Sequence, residues 1–247
     1  MKIFKKIAVA ALSLSMVTMM FSGCGKEDLL EKKAAEAVAP VNYTLPVQGE
    51  KIAVIKVKDY GEIKIKFFPE YAAKGVENFI GLAEMDYYDE LIYHRVIEDF
   101  VIQGGDPKGD GTGGSSLWGT DFAVDSATNL YHFSGAVAYA HAQGGGNGSQ
   151  FYIVCTNEGE TYVDGAIPLT EDIFPQITAN AYSDEVKALY MENGGLPYLD
   201  GGYTVFGQVF EGMDVVYAIS EAKVDASTAM PAKQIVIESV EIVEYQG

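Results

Sequence analysis

The amino-acid sequence predicts a mainly β protein, a closed antiparallel barrel with few helices and one partly helical surface insertion. Three observations support this fold class. Short apolar runs, several of them strictly alternating, recur along residues 51–247. Turn-forming residues separate these runs. Only two or three segments in the same region repeat apolar residues at helical spacing.

The N-terminus resembles an export signal rather than part of the fold. Lysines precede an apolar run over residues 7–21, and small residues then lead into Cys24. This arrangement resembles a bacterial lipobox, in which the cysteine is lipidated, although Phe21 departs from the aliphatic residue preferred there. Residues 1–23 are therefore interpreted as a lipoprotein signal peptide, with an ordinary signal peptide or an uncleaved anchor as the alternative. The expected location is the outer face of the bacterial cytoplasmic membrane, or the periplasmic side if a second membrane exists.

The segment between signal and domain is interpreted as a tether. Residues 24–50 would comprise the lipidated cysteine and a flexible stretch that is charged, rich in alanine and closed by Pro40 and Pro46. Residues 51–247 then suffice for one domain, expected to be monomeric. The chain carries 17 basic and 35 acidic residues, a net charge of −18. This charge disfavours nucleic acid as a partner, because binding to nucleic acid needs clustered lysine and arginine.

The domain is predicted to begin with a β-hairpin. KIAVIKV (residues 51–57) and EIKIKFF (residues 62–68) flank the short turn KDYG, and the second run alternates apolar residues with lysine. Pro69 is expected to open a helix, because the first turn does not need its missing N–H. The apolar stripe of this helix is formed by Ala72, Ala73, Val76, Phe79, Ile80 and Ala83.

Short strands are predicted along the rest of the domain. The candidates are LIYHRVI, DFVIQGG, AVAYA, QFYIVC, TVFGQVF and IVIESVEIV. Residues 157–197 carry few strand signals and are interpreted as a surface insertion between two barrel strands. Within the insertion, SDEVKALYMENGG predicts a helix capped by Ser183 and ended by Gly194. A further helix is expected over residues 213–219, after Gly212.

Several motifs that suggest other chemistry lack the context they need. Neither GDGTGG nor GGGNG lies between a predicted strand and a predicted helix, so these glycine-rich runs do not indicate a phosphate site. DPKGDG lacks the glutamate at the end of a calcium loop. The three histidines, His94, His132 and His141, have no short spacing typical of zinc ligands. Cys155 lies in an apolar run without a Cys-His context and is interpreted as a buried, inert thiol. No cofactor is expected.

Arg95 is the only arginine of the chain, within YHRVIEDFVIQGGD. Strand alternation places Phe100 and Gln103 on a common surface with it. Such an arginine is either the structural partner of a buried carboxylate, or a donor to a ligand's carbonyl or nitrogen in a water-poor pocket. Taken alone, this stretch favours the structural interpretation.

That stretch resembles FHRVIxxFxxQGGD, the hallmark of the cyclophilins, which are barrel-type peptidyl-prolyl cis-trans isomerases. The resemblance continues through GDGTGG, GAVAYAHAQGGGNGSQFYIVCT (residues 135–156) and YLDGGYTVFGQVFEGMDVV (residues 198–216), in the family's order. It implies an eight-stranded antiparallel cyclophilin-like barrel capped by two helices, which would isomerise proline-containing unfolded or exported polypeptides. The alternative is a non-catalytic peptide-binding or chaperone module that uses the same groove. A solute-binding lipoprotein is disfavoured, because no two-lobed α/β pattern is present.

The resemblance also implies roles for individual residues. Arg95 stands at the family's catalytic arginine, and Gln103 stands at the glutamine that bonds the substrate backbone. Phe100 stands at the floor of the proline pocket. Val101 replaces a usual methionine and keeps that position apolar. Arg95 and Gln103 are therefore the implied catalytic residues.

The peptide groove and the pocket rim differ more from the family pattern. Ala140, His141 and Ala142 stand where the family has Ala-Asn-Ala, and Gln150 matches the second groove glutamine. At the remaining pocket positions, Tyr152 replaces a phenylalanine and is expected to add a hydroxyl at the rim, and Tyr198 replaces the pocket-edge tryptophan. Leu199 matches the family pattern, and Tyr203 replaces the usual histidine. All of these residues are implied to bind substrate.

Overall fold

The computed structural model describes residues 39–127 and 129–247. The predicted signal peptide, Cys24 and the first part of the predicted tether lie outside these residues. Within the described ranges, no helix is long and apolar enough to cross a membrane.

In the described part of the chain, eight of the ten strands form one antiparallel sheet. The strands are β1 (Lys51–Val57), β2 (Gly61–Phe67), β3 (Arg95–Ile97), β4 (Val101–Gly104), β5 (Ala136–Tyr139), β6 (Phe151–Val154), β7 (Glu160–Tyr162), β8 (Ala166–Pro168), β9 (Val205–Glu211) and β10 (Ile237–Glu244). The order in the large sheet is β10-β1-β2-β9-β5-β6-β4-β3. An antiparallel bridge between Ile92 and Val236 joins its two edges. The predicted eight-stranded antiparallel barrel is confirmed, and a single bridge closes it instead of a continuous ladder.

The predicted hairpin is present and has one buried face. β1 pairs with β2 over Ile52 to Val57, and Val57 lies opposite Gly61 at the turn. Ile63 and Ile65 are fully buried, whereas Lys64 and Lys66, which alternate with them, are half-buried, as the alternation predicts. The strand predicted for LIYHRVI is shorter than expected, because only Arg95–Ile97 pairs regularly with β4.

Among the residues that the structure describes, two helices cap the barrel and two belong to the insertion. They are α1 (Ala73–Ala83), α2 (Phe174–Ile177), α3 (Asp184–Asn193) and α4 (Met213–Ser220). The expectation that Pro69 opens α1 is wrong. The carbonyl of Phe68 accepts the N–H groups of Tyr71 and Ala72 at 3.1 and 3.0 Å, so a turn occupies these residues. The chain needs this turn because Phe68 still bonds the carbonyl of Phe206 at 3.1 Å before the helix starts.

An aromatic cluster around Phe79 fills the barrel beneath α1. The Phe79 ring is fully buried. Its centroid lies 4.9 Å from that of Tyr88, 5.2 Å from that of Phe206 and 5.4 Å from that of Phe151. Offset and edge-on ring pairs at these distances add stabilisation beyond the area that they bury. The helix stripe seen in the sequence therefore supplies the centre of the core.

The end of the predicted tether is fastened to the domain, contrary to the expectation of a flexible stretch up to residue 50. Asn42 is almost fully buried, and its amide donates to the carbonyl of Tyr131 at 2.9 Å and to Oε1 of Gln208 at 3.0 Å. The Tyr43 ring stacks on Phe133 at 5.4 Å. Gly49 donates its N–H to the carbonyl of Tyr245 at 2.9 Å. Residues 41–50, hereafter the strap, thus belong to the domain because an amide side chain and an aromatic ring anchor them.

The insertion over residues 157–197 is folded and has its own small core. Besides the predicted helix α3, it contains the β7–β8 hairpin, which the sequence did not predict. The Ser183 hydroxyl accepts the N–H of Val186 at 3.3 Å, and Gly194 ends the helix, so both predicted helix boundaries are confirmed. The buried side chains of the insertion pack on Phe133, which lies just before β5.

Candidate active site

A cavity of about 360 Å³ lies on the barrel surface, within the size range of small-ligand sites. Strands β3, β4 and β6 contribute to it, as do the loops that follow β5 and precede β9. Its lining consists of Arg95, Phe100, Val101, Gln103, Gly111, Ala140, His141, Ala142, Gln150, Tyr152, Leu199 and Tyr203. Every residue that the sequence predicted to contact substrate lines this cavity except Tyr198, and Gly111 is the one lining residue that the sequence did not predict.

Strand register explains why these side chains meet. Arg95 lies opposite Gln103 in the β3–β4 pair, and Gln103 lies opposite Tyr152 in the β4–β6 pair. Residues directly opposite in an antiparallel pair project to the same face of the sheet. Arg95, Gln103 and Tyr152 therefore form a row across three strands. The alternation seen in the sequence predicted the first two members of this row.

A chain of hydrogen bonds fixes the polar side of the cavity. Arg95 Nη1 lies 3.4 Å from Oε1 of Gln103. Gln103 Nε2 donates to Oε1 of Gln150 at 3.0 Å, and Gln150 Nε2 donates to the carbonyls of Gly111 and Gly113 at 3.0 and 2.8 Å. Each amide is oriented by the next one, so the loop of residues 106–113 sets the orientation of Gln103 beside Arg95.

Arg95 lies against an aromatic ring and not against an acid. Its guanidinium carbon is 5.4 Å from the centroid of the Phe100 ring. Within residues 39–127 and 129–247 it forms no ion pair. Partial burial lowers the pKa of the Arg95 guanidinium from its ordinary value, and the oxygens of nearby tyrosines oppose this shift. The interpretation of Arg95 as partner of a buried carboxylate therefore finds no such carboxylate in the described part of the chain.

Asp106 organises the loop that holds Gln150. Its carboxylate accepts the N–H groups of Lys108 at 2.8 Å, Asp110 at 3.2 Å and Gly111 at 2.6 Å. Burial raises the pKa of this carboxyl, but the combined backbone donors outweigh burial and lower it below the ordinary value. Gly105 precedes it with φ of 81°, and a Cβ there would lie 2.5 Å from the carbonyl of Ser149. The Gln-Gly-Gly-Asp sequence thus permits a close backbone approach.

The apolar side of the cavity is formed by Phe100, Val101, Tyr152 and Leu199, which pack in one cluster. The hydroxyl of Tyr152 was expected at the rim, and this expectation is wrong. Tyr152 is almost fully buried, and its hydroxyl lies 3.0 Å from Nε2 of His132, on the far side of the wall. Burial raises the pKa of this phenol well above its ordinary value. A phenol buried this deeply needs a polar partner, and the histidine supplies it.

The rim of the groove is aromatic. The His141 ring lies 4.6 Å from the ring of Tyr203, and its nitrogens lie 3.0 Å from the carbonyl of Ala142 and 3.2 Å from that of Gly202. His141 and Tyr203 thus form a connected part of the rim, and Tyr198 packs on the same apolar cluster as Tyr203.

Tyr162 is a neighbour of the cavity that the sequence analysis missed. It ends β7 in the insertion, and its ring centroid lies 5.2 Å from that of Phe100. An aromatic residue in a segment without a recognisable motif gives no local signal of this contact. The insertion thus reaches the outer side of the pocket floor.

Cysteines and clusters of metal-binding side chains often carry other chemistry. Cys155 is almost fully buried, and burial raises the pKa of its thiol to about 12. At neutral pH this thiol is not a nucleophile. Within the residues that the structure describes, no cluster of three or more His, Cys, Asp or Glu side chains is arranged to hold a metal ion.

Comparison with known proteins gives the class of enzyme to which this barrel and its surface cavity belong. A sequence model described as "Cyclophilin type peptidyl-prolyl cis-trans isomerase/CLD" matches residues 52–242. The chain belongs to the cyclophilin-type peptidyl-prolyl cis-trans isomerases.

Relatives and solved structures agree with this family. A protein of Staphylococcus saprophyticus subsp. saprophyticus, named provisionally as a peptidyl-prolyl cis-trans isomerase, is 37% identical over 198 residues, covering 80% of this chain and 95% of its own. A protein of Staphylococcus haemolyticus with the same provisional name is 36% identical over 196 residues, covering 79% and 93%. A Cryptosporidium parvum cyclophilin type peptidyl-prolyl cis-trans isomerase, crystallised in the presence of the dipeptide Ala-Pro, gives a TM-score of 0.59 at 26% identity. That alignment covers 78% of this chain and 99% of the other. The predicted fold and enzyme class are confirmed.

Proposed function

We propose that this isomerase accelerates X–Pro isomerisation in exported polypeptides, and that Arg95 stabilises the twisted amide at the top of the barrier. The observation that carries the proposal is the row of Arg95, Gln103 and Tyr152 beside the Phe100 ring in one cavity. A guanidinium without an acidic partner there keeps its donors for a ligand.

The reaction needs rotation about one bond. The peptide C–N bond has partial double-bond character, which gives a barrier of about 18–20 kcal/mol. Rotation breaks this conjugation, and the prolyl nitrogen becomes pyramidal and gains a lone pair. An Arg95 N–H directed at that nitrogen bonds it only while the conjugation is broken. The contact therefore favours the transition state over both ground states, which is the condition for catalysis.

The other cavity residues would hold the substrate during rotation. Phe100, Val101, Tyr152 and Leu199 form an apolar surface suited to the proline ring. Gln103 lies beside Arg95 and is fixed by Gln150, so its amide is placed for the peptide backbone on one side of the proline. When the proline ring and the peptide on one side of it are held, only the peptide on the other side rotates. No proton transfer or covalent intermediate is required for this step.

The proposed activity is tested by exchange spectroscopy on an Ala-Pro peptide with the full chain. Uncatalysed exchange takes tens of seconds, so the cis and trans signals exchange slowly without enzyme. We expect the exchange rate to rise in proportion to enzyme concentration. Peptide signals that shift on binding without faster exchange would instead support the non-catalytic peptide-binding module.

Export and membrane attachment rest on the sequence of the first residues. Lysines, an apolar run and small residues before Cys24 support lipidation at that cysteine. A diacylated cysteine with a further acyl chain binds a membrane far more firmly than one chain does. In cells we expect the wild-type chain to be cleaved before Cys24, to carry a lipid label and to lie in the membrane fraction, and we expect Cys24→Ala to lose the lipid label. A wild-type chain that stays in the membrane fraction uncleaved and without lipid label would favour an uncleaved anchor.

A further inference from the structure

We propose that the insertion over residues 157–197 is a working part of the proline pocket. Two of its tyrosines, through Asp200 and His132, hold the pocket wall residue Tyr152 in place. The inference rests on the proposed function, since it takes the Tyr152 wall as the surface that receives the proline ring. In this proposal the positioning residues are His132, Asp200, Tyr182 and Tyr190.

Asp200 is the centre of this buried network. Its Oδ1 accepts the backbone N–H of His132 at 2.8 Å and lies 2.7 Å from Nδ1 of the same residue. Its Oδ2 accepts the hydroxyls of Tyr182 at 2.8 Å and of Tyr190 at 2.6 Å. Both tyrosines belong to the insertion. One carboxylate therefore receives two donors from the insertion and two from the segment before β5.

His132 carries the connection onward to the pocket. Because Nδ1 faces a carboxylate oxygen, we assign its proton to Nδ1, and Nε2 is then the acceptor of the Tyr152 hydroxyl at 3.0 Å. The His132 side chain is 1% exposed, so no solvent replaces either bond. The ring of Tyr152 forms part of the cavity lining. Donation therefore converges on Asp200 from both sides, because Tyr152 donates to His132 and His132 donates to the carboxylate.

A second contact joins Tyr182 of the insertion to the pocket. The single hydroxyl proton of Tyr182 is shared between Asp200 and the carbonyl oxygen of Pro197, which lies 2.7 Å away. Pro197 begins the short 3₁₀ turn that ends at Leu199, and Leu199 lines the cavity. The insertion therefore contacts the support of two wall residues, Tyr152 and Leu199, in addition to the direct contact of Tyr162 with Phe100 at 5.2 Å.

A merely structural insertion would need none of these bonds. Its apolar core of Leu169, Phe174 and Val186 already packs on Phe133 without reaching the cavity. Placing a carboxylate and a histidine beneath the pocket wall is unfavourable unless every polar atom finds a partner. A fully bonded network of this kind specifies one arrangement of the side chains that it joins. The side chain specified at the cavity is Tyr152.

The test is a double-mutant cycle on Tyr190 and Tyr152 in the full chain. We expect Tyr190→Phe to lower kcat/KM for an Ala-Pro peptide about three- to tenfold, the effect of one hydrogen bond, although Tyr190 does not line the cavity. Tyr152→Phe detaches the wall from the network. In that background Tyr190→Phe should change kcat/KM less than about twofold, because the path to the wall is already broken. Losses that multiply in the double variant would overturn the inference, as would a wild-type kcat/KM for Tyr190→Phe.

Tyr217→Phe is the matched control. It also removes a tyrosine hydroxyl, one that lies 3.1 Å from Oγ of Ser134 and donates to the carbonyl of Thr156 at 3.2 Å, but it does not contact Asp200. We expect wild-type kcat/KM for Tyr217→Phe, and a loss equal to that of Tyr190→Phe would show a general effect of destabilisation. The same double-mutant cycle can be measured with the affinity of each variant for the Ala-Pro peptide, a quantity that does not depend on turnover. The inference and the proposed function can therefore fail separately.

The protonation of the two ring nitrogens of His132 can be measured in the wild-type protein. This test therefore does not depend on whether a variant folds. The chain has three histidines, so the ¹⁵N spectrum of their rings is simple to assign. We expect His132 to show a protonated Nδ1 and an unprotonated Nε2. A proton on Nε2 alone would contradict the assigned path from Asp200 to Tyr152.

Discussion

Replacing Arg95 with alanine is expected to lower kcat/KM for X–Pro isomerisation about ten- to a hundredfold, equal to about 1.4–2.7 kcal/mol of transition-state stabilisation. The guanidinium is the proposed donor to the pyramidal nitrogen, and its loss leaves binding of the proline ring largely unchanged. The effect should therefore fall mainly on kcat. Exchange spectroscopy on an Ala-Pro peptide measures it without a coupled protease.

The barrel should tolerate this change. Arg95 forms no ion pair in the described part of the chain, so no buried acid is left unpaired. Gln103 keeps its bond to Gln150 at 3.0 Å. Arg95→Lys is the matched control, because it keeps the charge and loses the planar fork. Recovery of the full rate by lysine would show that charge alone is needed, and a wild-type rate for Arg95→Ala would refute the proposed mechanism.

Replacing Phe79 with alanine is expected to lower the free energy of unfolding by about 3–5 kcal/mol. The ring is fully buried and contacts the rings of Tyr88, Phe151 and Phe206 within 5.5 Å. Deleting it removes the transfer free energy of the side chain and leaves a cavity among large rings that cannot collapse easily. Urea denaturation followed by fluorescence measures the change.

Ile80→Ala is the control for this change, since it alters the next residue of the same helix. Ile80 is half-buried at the edge of the core, so a smaller loss of about 1–2 kcal/mol is expected. Equal losses for the two variants would mean that α1, rather than the ring cluster, determines the effect. The slope of the urea transition should stay unchanged in both.

Local patterns in the sequence predicted the elements that depend on nearby residues. The alternation of residues 62–68 predicted the buried face of β2, because successive side chains of a strand point to opposite faces. Ser183 and Gly194 predicted both ends of α3, because capping depends on residues within one turn. Pro69 gave a wrong helix start, because the turn at Phe68 depends on a distant partner, Phe206, and not on nearby residues.

Long-range contacts explain what the sequence did not predict. The row of Arg95 and Gln103 follows from alternation on neighbouring strands, but its link to Gln150 depends on a strand far along the chain. The burial of the Tyr152 hydroxyl depends on His132, and the contact of Tyr162 with Phe100 depends on how the insertion folds back. No spacing in the sequence encodes these pairs. They arise when the register of the sheet and the packing of the insertion are both set.

The strap would limit how far a lipid-anchored form of the enzyme can reach from the membrane. With Cys24 lipidated as proposed, residues 25–40 would lie between the lipid and Val41, which donates its N–H to the carbonyl of Asn129 at 3.2 Å. A chain of that length spans at most about 55 Å when fully stretched, and had residues 41–50 been free the span would approach about 90 Å. The groove would then sweep a thin layer next to the bilayer. On this proposal, an emerging polypeptide would meet the isomerase in that layer soon after it crosses the membrane, before it diffuses away from the surface.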